Sequence, residues 1–152
     1  MMRLKNYDFG VGLATAVILS LLFLGGCGTS IKYAYDARTS FPELKTYQWA
    51  ASGGIYRQDP LLEANVQFIA DRDLGKKGLS RKADKADLIV WMNYEAEYSK
   101  GYQLRMLTLN IARADNREMV WQGTATGDIK TDAASGKLKE IVEGILANFP
   151  PR

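Results

Sequence analysis

Ala86-Asp87-Leu88-Ile89-Val90-Trp91-Met92-Asn93-Tyr94-Glu95-Ala96-Glu97-Tyr98 is the stretch whose reading decides the fold. Successive side chains of a strand point to opposite faces, so Leu88, Val90, Met92, Tyr94, Ala96 and Tyr98 share one side. Ile89, Trp91, Asn93, Glu95 and Glu97 share the other. The first half is apolar on both sides and the second on one, which predicts a strand that enters a core and ends half covered. Ser99-Lys100-Gly101 then reads as a three-residue hairpin connection, with glycine where a positive φ is needed. Tyr102 to Arg113 is the partner strand, with Leu107, Leu109 and Ile111 together on one face. Ala114-Asp115-Asn116-Arg117 turns the chain again, and Met119 to Thr126 completes a three-stranded meander.

Upstream, Asp59-Pro60 opens a helix with a capping carboxylate and a proline at the first helical position. Leu62, Val66, Ile69, Ala70 and Leu74 recur at helical spacing. Lys76 and Lys77 occupy the last turn, and Gly78 supplies a left-handed stop. Leu79 to Lys85 reads as a basic linker. Further upstream, Ile31 to Tyr35 and Leu44 to Trp49 alternate as two strands, separated by turn formers from Asp36 to Pro42. Downstream, Leu138, Ile141, Val142, Ile145, Leu146 and Phe149 trace a second amphipathic helix, stopped by Pro150-Pro151. The order β-β-α-β-β-β-α predicts a single two-layer α+β domain. Its sheet is expected to be mostly antiparallel, of about five strands, packed against two helices.

The amino-terminal residues do not belong to that domain. Val11 to Leu24 is apolar but short for a membrane span, and Arg3 and Lys5 precede it as in a secretory signal. Leu24-Gly25-Gly26-Cys27 resembles the lipobox of bacterial lipoprotein precursors, in which small residues let a peptidase grip extended backbone before the acylated cysteine. The competing readings are a buried cysteine and an uncleaved membrane anchor. The resemblance implies removal of residues 1–26 by cleavage between Gly26 and Cys27, with a fatty-acyl lipid such as palmitate on Cys27. Residues 27–30 would form a short tether, and 31–152 the domain. Lipoproteins resembling this one stay at the inner membrane when an aspartate follows the acylated cysteine; here Gly28 and Thr29 come next, which implies delivery to an outer membrane facing the periplasm in a cell that has one.

Removing Arg3, Lys5 and Asp8 from 20 basic and 17 acidic residues leaves 18 and 16, too even a balance for a nucleic-acid surface. The chain has no histidine, hence neither the commonest general base nor the commonest transition-metal ligand. No G-x-S-x-G elbow occurs, and no S-x-x-K lies in the mature domain. An enzyme is not expected, nor any cofactor or metal beyond the covalent lipid.

Tyr33-Ala34-Tyr35-Asp36, Phe41 and Lys45-Thr46-Tyr47-Gln48-Trp49 resemble the opening of the family known as domain of unknown function 4136. Pro60-Leu61, Lys77-Gly78, Ala86-Asp87-Leu88-Ile89-Val90, Val120-Trp121-Gln122-Gly123-Thr124-Ala125 and Phe149-Pro150-Pro151 extend the likeness over nearly the whole mature chain. The chain departs from the pattern at Gln122, where an arginine is usual, and at Leu79, where an aromatic is. The resemblance implies a bacterial envelope protein and brings no catalytic residues with it.

Three groups of side chains offer chemistry. Glu95 and Glu97, with Asn93, could hold a hard cation, but calcium wants six or more oxygens and a solvated strand face is the simpler reading. Lys76, Lys77, Arg81, Lys82 and Lys85 could meet anionic headgroups, although Asp73, Asp84 and Asp87 interleave with them. Among the strand aromatics, Trp49 and Trp121 read as core, while Tyr98 and Tyr102 flank a hairpin tip and are the candidate partner surface. The reading is therefore a lipid-anchored, non-catalytic binding module at a membrane surface, its partner an unidentified envelope protein or component. The alternative is a carrier for an apolar ligand held between sheet and helices.

Overall fold

The computed structural model describes residues 28–50, 59–97, 103–129 and 136–151. Six strands form one sheet: β1 (Ser30–Tyr35), β2 (Thr46–Trp49), β3 (Ser80–Arg81), β4 (Leu88–Glu97), β5 (Gln103–Arg113) and β6 (Met119–Ile129). Two helices, α1 (Pro60–Lys76) and α2 (Gly136–Leu146), pack on one of its faces. The strand order is β1-β6-β5-β4-β2-β3. The α+β reading holds, but the sheet is mixed rather than a five-stranded antiparallel one. β2 pairs in parallel with both β4 and β3, because α1 carries the chain back between them. The sixth strand lies inside the stretch read as a linker: Ser80 donates to the Lys45 carbonyl and Lys82 to that of Tyr47. Two residues are too few for side-chain periodicity to announce.

Helix α1 begins as its sequence dictates. The Asp59 carboxylate accepts from the backbone N–H of Leu61 and Leu62 at 3.1 and 2.9 Å, and Gly78 closes the helix at φ +87°. The register places Tyr47, Leu88, Val90, Leu107, Leu109, Ile111, Trp121 and Ala125 on the helix-covered face. They pack with Leu62, Val66, Leu138, Val142 and Ile145 in one core. Phe149, just past α2, meets Phe41 edge-on at 5.8 Å and Trp121 at 5.4 Å.

The two ends of the sheet differ. At one, β1 begins at Ser30 opposite Thr126, β4 and β5 pair at Glu97 and Gln103, and α1 starts where the Asp59 N–H donates to the Tyr94 hydroxyl. At the other lie Tyr35, the turn linking β5 to β6, and Phe149. These are called below the Ser30 end and the Phe149 end.

Candidate interaction surface

Strand β1 follows from its alternation of Ile31, Tyr33 and Tyr35 with Lys32 and Ala34, and it pairs with β6 over six residues without a bulge. Among the described residues no strand pairs with its other edge, since β1 ends the sheet. Helix α2 comes close to it at Ile31, where a side-chain carbon on Gly144 would come within 2.7 Å of the Ile31 Cδ1. Beyond that point Tyr33 and Tyr35 are uncovered, 48% and 45% exposed, with rings stacked at 6.4 Å and 16°. They line a groove of about 410 Å³ with Ala147, Asn148, Pro150 and Pro151. Around the end of the strand, Tyr35, Asp36, Arg38, Glu118 and Met119 line a second, shallower one of about 470 Å³. The Arg38 guanidinium donates to Asp36 at 3.0 Å and holds that carboxyl below its usual range. A six-residue edge with Ile31, Tyr33 and Tyr35 and a single charge, Lys32, is longer than sheets ordinarily leave exposed. The opposite edge obeys that rule: β3 has two residues, one of them Arg81.

Two aspartates hold the sheet behind this edge. Asp71, on α1, accepts from the Tyr47 hydroxyl at 2.7 Å, the Trp49 indole N–H at 2.8 Å and Arg81 at 2.8 Å, so one side chain ties the helix to β2 and β3. Burial and the Asp71 carboxylate push the Tyr47 hydroxyl pKa well up. Asp87, at the head of β4, accepts from the Lys45 and Thr46 N–H and from the Thr46 hydroxyl, which together depress its pKa. On the helix-free face the Gln122 amide donates to Asn110, and that of Asn110 to Asn93, both at 2.8 Å. Thr108 and Thr124 share a hydrogen bond beside them.

The family model for Domain of unknown function (DUF4136) matches residues 31–151. The chain belongs to this family. A solved DUF4136 family protein from Bacteroides thetaiotaomicron is similar, with a TM-score of 0.60 at 16% identity over 80% of this chain and 96% of that one. PelC from Paraburkholderia phytofirmans, solved as a dodecamer, gives 0.57 at 17% identity over 82% and 100%. A PDZ domain protein from Parabacteroides distasonis gives 0.58 at 16% identity, covering 99% of this chain, which spans 42% of that protein. At these identities the likeness is one of fold. No curated protein matches the chain.

Within this DUF4136 domain the sequence candidates separate. Gly26, Cys27, Tyr98 and Tyr102 lie outside the described residues. Gly28 is exposed and Thr29 half-buried at the foot of β1. Glu95 and Glu97 are not brought together as a site: the β4–β5 register shifts after Glu95, and Glu97 binds Arg105 of β5. Among the described residues no three acidic or thiol side chains gather as a metal cluster would need. The basic stretch is partly neutralised, Lys77 by Asp73 and Arg81 by Asp71. Both departures from the DUF4136 pattern are accommodated: Gln122 joins the amide ladder, and Leu79 is buried in the core. Trp121 is wholly buried and Trp49 packs against the core as expected. The sequence reading passed over the Tyr33–Tyr35 pair. Aromatic residues two apart on a strand were the signal, but their exposure depends on β1 ending the sheet.

Proposed function

We propose that this chain is a lipid-anchored module of the bacterial envelope, held by an acylated Cys27, that binds a protein partner through the free edge of β1 and performs no chemistry itself. The observation that carries this reading is the contrast between the two sheet edges, a two-residue β3 at one and, at the other, a six-residue β1 with exposed Tyr33 and Tyr35 that no described strand pairs with. An edge of that kind suits strand addition, with main-chain hydrogen bonds giving affinity and alternate side chains giving selectivity. Tyr33 and Tyr35 would supply large contact area with little entropy to lose. That PelC, of similar fold, is a dodecamer supports a contact role for the architecture. The carrier reading has less support, because the layer interface near α2 is filled: Trp121 and Ile145 leave no room for a methyl on Gly123.

Gly28 and Thr29 after the acylated residue support delivery to the outer membrane, facing the periplasm, where two membranes exist. The test is in-cell photocrosslinking from Tyr33 and Tyr35, with Arg81 on the opposite edge as control. Discrete protein adducts from the first two positions and none from the third are expected. Equal yields from both edges refute the β1 assignment. Intact-mass analysis of the extracted protein checks the anchor separately, since a mature amino terminus other than a lipidated Cys27 refutes it.

A further inference from the structure

We propose that the domain stands on the lipid headgroup layer in one orientation, with its Ser30 end down, the Phe149 end away and the β1 edge facing sideways along the membrane. This rests on the lipid anchor proposed for Cys27. The decisive feature is Gly127. Its φ of +134° is one that L side chains rarely adopt, and a Cβ there would lie 3.3 Å from the Thr29 Cα and 3.4 Å from the Gly28 carbonyl oxygen. The glycine lets the backbone of Gly28 and Thr29 lie against the end of β6, while Ser30 is already paired with Thr126. Of the residues read from sequence as a tether, Gly28, Thr29 and Ser30 are therefore strapped to the body. From Gly28 to the acylated residue is one peptide step, roughly 3.8 Å between Cα atoms.

So short a link fixes which end meets the lipid. β5, with 11 residues, makes the sheet about 35 Å long. Laying the Phe149 end on the headgroups would require Cys27 to cross that length, which calls for roughly ten residues of free chain. The described charges at the Ser30 end include two ion pairs, Arg105 with Glu97 and Lys137 with Glu140. One consequence restricts the partner. Two copies joined by antiparallel β1 pairing would point in opposite directions, carrying the second Cys27 about 20 Å from the membrane that holds the first. Copies in one membrane cannot pair in that antiparallel way, and any strand added from a second copy there would have to run parallel to β1.

Cys27 is the only cysteine, and acylation consumes its thiol, so an introduced cysteine is the sole labelling site. The full lipidated protein carrying Lys137→Cys, near the Ser30 end, or Asn116→Cys, near the Phe149 end, is labelled with a fluorophore. It is then reconstituted in phosphatidylethanolamine–phosphatidylglycerol vesicles bearing a headgroup quencher. Quenching at 137 should exceed that at 116 by about threefold or more, given a sheet roughly 35 Å long. Equal or reversed quenching overturns the orientation. Inserting about a dozen Gly and Ser residues between Gly28 and Thr29 should erase the difference while the melting temperature stays unchanged. If the difference survives the insertion, the strap is not its cause and the inference fails. Protein that carries no lipid by intact mass and does not float with vesicles refutes the anchor instead, which is a separate result.

Discussion

Replacing Gly123 by alanine tests the packing of this domain at its tightest point. Gly123 lies in ordinary strand conformation beneath the Trp121 ring, two residues after Trp121 on the same face of β6. A Cβ there would stand 2.3 Å from the Trp121 Cη2, 2.8 Å from its Cζ2 and 2.8 Å from the Ile145 Cγ2. The indole has nowhere to retreat, being fully buried and 5.4 Å from the Phe149 ring. Overpacking of this kind costs about 1–3 kcal/mol, and the lost freedom of the unfolded chain gives back only ~0.4–1 kcal/mol. With an unfolding entropy of about 0.25 kcal/mol per degree for a domain of this size, a net 1–2 kcal/mol lowers Tm by ~4–8 °C. Thermal denaturation followed by circular dichroism reads this directly. Trp121→Phe, which removes the colliding ring, should itself destabilise. Combined with Gly123→Ala, however, it should cost at least about 1 kcal/mol less than the two changes summed. An unchanged melting temperature for Gly123→Ala, or simple additivity of the pair, would refute the reasoning.

Asp71→Ala removes the acceptor for Tyr47, Trp49 and Arg81 and strands a buried hydroxyl, so a loss of about 2–4 kcal/mol is expected in urea denaturation, with a smaller loss for Asp71→Asn. For Asp87, hydrogen bonds from Thr46 and Lys45 depress the folded pKa below the unfolded value of about 3.9. Its stabilisation is present above that value and lost as the pH falls through the folded pKa. Asp87→Asn should therefore flatten the acid limb of the stability curve below about pH 4, modestly because the group is exposed, and an unaltered limb would count against the clamp. Tyr33→Lys with Tyr35→Lys, beside Lys32, should shift stability by less than about 1 kcal/mol at these half-exposed positions, yet abolish partner adducts from a photoreactive group at Ala34. Persisting adducts would move the contact elsewhere.

What the sequence made legible was whatever depends on neighbours within one element. The two-residue period of β4 and β5 correctly sorted Leu88, Val90, Leu107 and Leu109 to the covered face. Asp59, Pro60 and Gly78 correctly marked where α1 starts and stops. What stayed hidden depends on elements distant in the chain. β1 and β2 are adjacent in sequence but stand apart in the sheet, with β6, β5 and β4 between them. Nothing local to Tyr33 says that no strand covers it. Asp71 reads as one more acidic position on a helix until α1 is laid over β2. Helix α1 also hides its outer stripe, because Leu61 and Phe68, 61% and 69% exposed, sit opposite the buried set and blur the amphipathic pattern.

The strand that offers the free edge is also the strand that would carry the lipid, and this gives the domain a mechanical character. With Cys27 held in the membrane, any pull on the body is transmitted through Ser30 along the axis of β1. Six residue pairs join β1 to β6, and a load along the strands acts on all of them in shear rather than peeling them one by one. Rupture under force follows the unfolding barrier, not the equilibrium stability. If Cys27 carries the proposed lipid, the β1–β6 ladder would be the coupling through which the anchor bears tension, and a partner strand added along β1 would thicken it.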